Sequence, residues 1–294
     1  MLVREILATV NLAHQFDSAF TPEQVHRYLR VKTSRENFDK TLTQLQLENR
    51  IFENHSALFT KDLCEIYRQK KRWSRALFSR HRPVLWLLSR MPWVNYISLT
   101  GANAFESCQR RDDIDLFLIT AKNRLWICYA LLVIFSKLLH KRGILCLNYL
   151  VDENNLQILQ CNYFTAVQIL QMLPLCQNDL GEQLIRQNDW IFDFLPNAQP
   201  RLFLDQFYTV KNGKYRKSMK KNGLLNRLNN WIFQKYARRL RQKFPDKFGK
   251  GIVLQKGIAK LNSIDHQDIY EAFYRQIDAE LAHLPCLSEV NRDA

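Results

Sequence analysis

An α/β (α+β) chain built on a small mixed sheet is predicted from three observations. Behind Asp112-Asp113, the run Ile114-Asp115-Leu116-Phe117-Leu118-Ile119 has the apolar and β-branched character of a strand. The helix-length apolar segment Leu125 to Leu139 follows it, and Ile144 to Val151 is again extended, so strand, crossover helix and strand succeed one another. Helix start signals dominate before this centre and helical spacing dominates after it.

Residues 1–62 read as a separate small module. Val3 to Phe16 is helical. Thr21-Pro22-Glu23-Gln24 is a capping box with proline at the first helical position, opening a helix with Val25, Tyr28 and Leu29 on one face. Thr33-Ser34-Arg35-Glu36 reads as a second box, before a helix that aligns Phe38, Leu42, Leu45 and Asn49. Two short strands then flank the turn-like Asn54-His55-Ser56. Three helices and a hairpin in this order resemble a winged helix. Its third helix carries Glu36, Asp39 and Glu48 beside Arg35 and Lys40 and is nearly neutral, which favours docking to protein or to the rest of the chain over entry into a DNA groove.

Residues 63–92 form a basic helical connector carrying Arg68, Lys70, Lys71, Arg72, Arg75, Arg80 and Arg82, which Pro83 should break or restart. Residues 93–160 are the sheet-bearing core: a strand from Trp93 to Thr100, a short helix from Ala102 to Cys108, a strand over 113–120, a helix over 123–141, a strand over 144–151 and an edge strand at Leu156 to Leu159. Residues 161–294 are predicted as a helical C-terminal region, with helices at Phe164 to Met172, Leu180 to Phe194, Leu224 to Phe244 and Asp268 to Leu281. Its basic segment, 211–250, begins with the cationic stretch Lys211 to Lys221, either a disordered linker or a polyanion contact that orders on binding. In Leu224 to Phe244 the spacing turns Leu228, Trp231, Ile232 and Tyr236 inward, with Lys235, Arg238, Arg239, Arg241 and Lys243 outward.

A net charge of +15 over 294 residues points to polyanion partners, RNA or DNA among them, contacted through the basic segments. The seven scattered cysteines include no C-x-x-C pair, which fits a reduced, cytoplasmic chain without a zinc site. Met-Leu-Val-Arg-Glu at the start is no signal peptide, and the longest apolar run falls short of the roughly 20 residues a membrane span needs. Gly249 to Gly251 and Lys256-Gly257 lack the order of a phosphate loop.

The chemistry is concentrated in one string. Asp113 and Asp115 are two apart in the strand, so both carboxylates leave the same face, where a cation between them relieves their repulsion. Magnesium suits such a pair because it takes one or two carboxylates and completes its shell with water and phosphate oxygens. Gly101, twelve positions upstream, lets a backbone turn approach those phosphates.

Thr100-Gly101-Ala102, the gap, and Asp113-Ile114-Asp115-Leu116 together resemble the signature of the polymerase-β-like nucleotidyltransferases. Asn123-Arg124-Leu125-Trp126 and Leu145-Cys146-Leu147-Asn148 resemble a prokaryotic group that carries this domain behind a winged helix. The resemblance implies transfer of a nucleoside monophosphate from a nucleoside triphosphate to an acceptor hydroxyl. Asp113 and Asp115 would be metal ligands and catalytic residues, while Gly101 and Ala102 would cradle phosphates, with Arg110 and Arg111 within reach. The family's third carboxylate is expected at the middle of the third strand. Asn148 stands there as a nucleotide-site residue, and Asp152, read as having the same parity, could serve from the strand end as the catalytic carboxylate. Ala102 replaces the usual Ser or Gly, a loss of about 1.5–3 kcal/mol if a charged hydrogen bond goes with the hydroxyl. These departures leave an alternative: a catalytically degenerate relative acting as a nucleic-acid-binding or nucleotide-sensing regulator.

Overall fold

The computed structural model describes residues 1–202, 204–212, 223–248, 251–261 and 267–280. Helix α1 spans Leu2–His14, α2 Pro22–Tyr28 and α3 Arg35–Leu47. The capping box at α2 is complete: Gln24 N–H donates to Thr21 Oγ1 at 3.2 Å and Thr21 N–H donates to Gln24 Oε1 at 3.0 Å. The second box does not form, because Ser34 caps α3 by accepting from Asn37 N–H while Glu36 pairs with Lys40 on the exposed face. Strands β1 (Phe52–Asn54) and β2 (Ala57–Phe59) make a hairpin whose turn residues His55 and Ser56 both have positive φ.

Helix α4, Cys64–Leu88, runs straight through Pro83 instead of restarting there. Proline and the Ser79 carbonyl it leaves without a donor are on the exposed face, while Phe78, Leu85 and Leu88 hold both halves to one core. The core elements follow as β3 (Val94–Leu99), α5 (Gly101–Ala104), β4 (Ile114–Thr120), α6 (Leu125–Leu138) and β5 (Leu145–Asp152). After them come α7 (Tyr163–Gln171), β6 (Leu173–Pro174), β7 (Cys176–Gln177), α8 (Leu180–Arg186), α9 (Ile191–Phe194), β8 (Lys211–Asn212), α10 (Gly223–Lys243), β9 (Ile252–Leu254), β10 (Ile258–Leu261) and α11 (Gln267–Glu280).

The main sheet has six strands in the order β6-β3-β4-β5-β10-β9. Only β4 and β5 are parallel, joined through α6 as the crossover; the other neighbours are antiparallel. The C-terminal region is therefore not purely helical, since β10 pairs along β5 and β9 closes that edge. Leu156 to Leu159 is not the edge strand. Its backbone bonds instead to buried Asn188, which accepts from Ile158 N–H at 2.7 Å and donates to the Leu156 carbonyl at 2.8 Å. The same residue ends α8, which splits the expected Leu180 to Phe194 helix in two.

One helical layer covers each face of the sheet. On the back, Trp126, Cys128 and Leu132 of α6 pack beneath Leu116, Leu118 and Leu150. Helix α10 crosses this layer, and its buried Asn229 accepts from Trp126 N–H (2.9 Å) and Ile127 N–H (3.2 Å), capping α6 from outside. That polar anchor rotates α10 relative to its sequence pattern. Ile232, Phe233 and Tyr236 face in, but Leu228 (42% exposed) and Trp231 (56% exposed) face solvent. No described helix is long and apolar enough to cross a membrane.

On the front, α1–α3 share one uninterrupted core with the sheet: Ile6, Phe20, Phe38 and Leu45 belong to the same cluster as Phe117, Ile119 and Val151. Gln171 of α7 fixes this layer, accepting from Tyr28 Oη and donating to the Ala104 carbonyl at 2.8 Å. The buried ammonium of Lys70 on α4 holds the loop after α1, donating to the Phe16 carbonyl at 2.6 Å and to Asp17 at 3.1 Å.

Candidate functional site

Gly101, two residues past β3 and the first of α5, has φ +57° and turns the chain into that helix. The turn lies directly over β4: Thr100 N–H donates to the Asp115 carbonyl at 3.1 Å and Asn103 Nδ2 donates to the Asp113 carbonyl at 3.0 Å. A Cβ added at Gly101 would stand 2.6 Å from Asp115 Oδ2. Only glycine combines this backbone with this approach.

Asp113 and Asp115 share the front face, and the register sets Asp115 opposite Cys146 on β5. Ligand atoms of Asp113, Asp115 and Cys146 all lie within 4.8 Å of one another, the group among the described residues that could hold a metal ion. Burial, and then the charge of Asp113, push the Asp115 carboxyl up to about 7. Burial also pushes the Cys146 thiol up to about 12, with the two aspartates adding to the shift, so at neutral pH it is a neutral thiol. Asn148 bridges the two, accepting from Cys146 Sγ at 2.7 Å and donating to Asp115 Oδ1. The two carboxylates on one face are donors that a hard divalent cation could take, and its charge would restore Asp115 to the anion that burial and the neighbouring Asp113 disfavour.

Asp152 does not belong to this site. Leu116 pairs with Leu147 but Phe117 pairs with Tyr149, so Asn148 is an extra residue in β5. This bulge reverses the parity beyond it. Tyr149 and Val151 take the front face, and Leu150 and Asp152 the back. Buried there, Asp152 accepts from Asn123 N–H, Asn154 N–H and Asn155 Nδ2 at 3.1, 3.1 and 2.6 Å, latching the strand end. Asp152→Ala is expected to lower stability by about 2–4 kcal/mol in urea unfolding, because three donors lose their acceptor. Divalent-ion binding at Asp113 should be unchanged.

Arg110 and Arg111 lie on the exposed turn 109–112, away from the cavity wall. Ala102 lines the cavity beside Gly101. From the basic connector, Arg75 and Lys71 reach Glu106 at 2.7 and 3.4 Å and not the acidic pair. In the cationic stretch Lys211 to Lys221, residues 213–221 lie outside the described residues.

The acidic pair opens into a cavity of about 480 Å³. Its floor is the front of the sheet. Its roof is formed by Leu12, Phe16, Ser18 and Phe20 with Phe164 of α7 and Tyr270 of α11. Three contributors escape sequence reasoning: Cys146, buried Lys260 on β10, and this roof. The i,i+2 spacing to Asn148 was a usable signal for Cys146. Lys260 had none, since its strand is short and its partner is more than 100 residues earlier.

A mixed α/β protein holding an acidic pair beneath a helical roof is what the fold and site define. Comparisons with family models, with curated proteins and with solved structures give no match.

Proposed function

We propose that the chain is a magnesium-dependent nucleotidyltransferase of the polymerase-β-like kind, moving a nucleoside monophosphate from a nucleoside triphosphate to an acceptor hydroxyl with release of pyrophosphate. The observation that carries this reading is the contact of Gly101 with Asp115, with Asp113 on the same face. Asp113 and Asp115 would hold the ion, with Asn148 fixing the Asp115 carboxylate and Cys146 beside it. Magnesium supplies neutralisation of phosphate charge when bound. The backbone at Gly101 and Ala102 would lie along the β and γ phosphates. The α1–α3 unit with its hairpin is read as a winged helix used for docking on the sheet. The shared core supports this, as do the intrahelical pairs Arg35–Asp39 and Lys40–Glu36 on α3. The exposed Lys235, Arg238, Arg239, Arg241 and Lys243 of α10 would meet RNA or DNA. Six described cysteines are free, which supports a cytoplasmic setting.

A second reading, a regulator that binds nucleotide or nucleic acid without transfer, is favoured by Asn148 standing where a third carboxylate is expected. Asp113 and Asp115 are the only acids among the described residues lining the cavity. Incubation with α-labelled nucleoside triphosphates, magnesium and cell lysate separates the two. Transfer of label is expected, reduced at least 100-fold in Asp113→Asn. Salt-sensitive nucleic-acid binding without transfer, indifferent to that substitution, would favour the regulator.

A further inference from the structure

The cavity is larger than the acidic pair needs, and its two flanks differ. In-line displacement requires the attacking oxygen and the departing pyrophosphate on opposite sides of the transferred phosphorus. Gly101, just after β3, marks one flank. Across β4, the sheet order sets β5 and then β10 on the other. That flank is lined by Tyr149, Ile158, Gln160 and Lys260, with Lys260 directly opposite Tyr149 in the register. Lys260 is 8% exposed, donates to Gln160 Oε1 at 2.5 Å, and is the only cation among the described residues lining the cavity. In the roof, Ser18 is 3% exposed and its hydroxyl has no partner, although it lines the same space. A buried hydroxyl without a protein partner beside a cavity is free to bond whatever fills that space, a ligand or water.

We propose that the β5–β10 flank is the acceptor subsite, and that it takes a small hydroxyl compound with a ring-sized apolar body and one anionic group set against Lys260. This rests on the nucleotidyl-transfer reading. The acceptor oxygen forms a bond to the α-phosphorus, the bond from that phosphorus to the bridging oxygen breaks, pyrophosphate leaves with the electron pair, and the hydroxyl proton passes to water. Aromatic and aliphatic walls suit the body of such a compound. Among the described residues lining the cavity, a polycationic acceptor finds no acid beyond Asp113 and Asp115.

The probes are 4-(hydroxymethyl)benzoate, its neutral analogue 4-methylbenzyl alcohol and its cationic analogue 4-(hydroxymethyl)benzylamine, titrated into the full chain by NMR. The anionic probe is expected to bind at least tenfold tighter than the other two. Lys260→Gln should abolish that preference and Lys260→Arg should keep it. In the unsubstituted chain the carboxylate should shift the Lys260 side-chain resonance, a readout that survives if Lys260→Gln does not fold. Equal binding of all three probes, or a preference that persists in Lys260→Gln, overturns the subsite. Label transfer to an RNA end but to no small anionic alcohol overturns it as well. Binding of ATP with magnesium is measured in parallel. If that fails while the Lys260-dependent preference holds, the ligand site stands and the transfer reading, with the acceptor role, is lost.

Discussion

Gly101→Ala is expected to cost about 2–4 kcal/mol and to abolish divalent-ion binding. Part of the loss is backbone: an alanine at φ +57° is strained by about 1–2 kcal/mol. The rest arises because the new methyl would sit 2.6 Å from Asp115 Oδ2, and Asn148 holds that carboxylate from the other side. A double-mutant cycle with Asp115→Ala separates the two contributions. In the Asp115→Ala background only the backbone strain should remain, leaving a coupling above about 1 kcal/mol in the urea midpoints. Simple additivity would mean that the glycine bend and the carboxylate do not oppose each other as described.

Without divalent ions, stability is expected to fall as pH rises from about 4 to about 7. Asp115 has its folded pKa raised to about 7 from an unfolded value of 3.8. Between those values the folded chain holds a proton that the unfolded chain has lost, so each step up in pH favours unfolding. The penalty is complete above pH 7 and absent below pH 4. At about 1.4 kcal/mol per unit it is on the order of a few kcal/mol. Asp115→Asn should flatten this part of the stability curve, and magnesium should recover stability in the native chain at pH 8 but not in the variant. An unchanged slope in Asp115→Asn, followed by thermal melts at constant ionic strength, would rule out Asp115 as its source.

Local patterns made the acidic pair, its glycine and the parallel strand pair legible, because parity along a strand and the unique conformational range of glycine are properties of adjacent residues. The bulge at Asn148 was not legible: nothing in Leu145-Cys146-Leu147-Asn148-Tyr149 marks an extra residue, and one insertion moved Asp152 to the other face. The rotation of α10 was hidden for a related reason. Its alignment is set by Asn229 capping α6, a polar contact between residues about 100 positions apart, which outweighs the apolar stripe through Leu228 and Trp231. Strands β9 and β10 are three and four residues long, too short for alternation to register, and β10 becomes a strand only because β5 offers it a partner.

The roof contributed by Phe16, Ser18 and Phe20 has a practical result. Floor and ceiling come from segments that meet only when the chain has folded as a whole, so an occupant stabilises the native state and not the unfolded one. A compound at 100 times its dissociation constant would add about 2.7 kcal/mol to unfolding. Melting curves recorded across a metabolite library would therefore reveal the natural occupant without an activity assay.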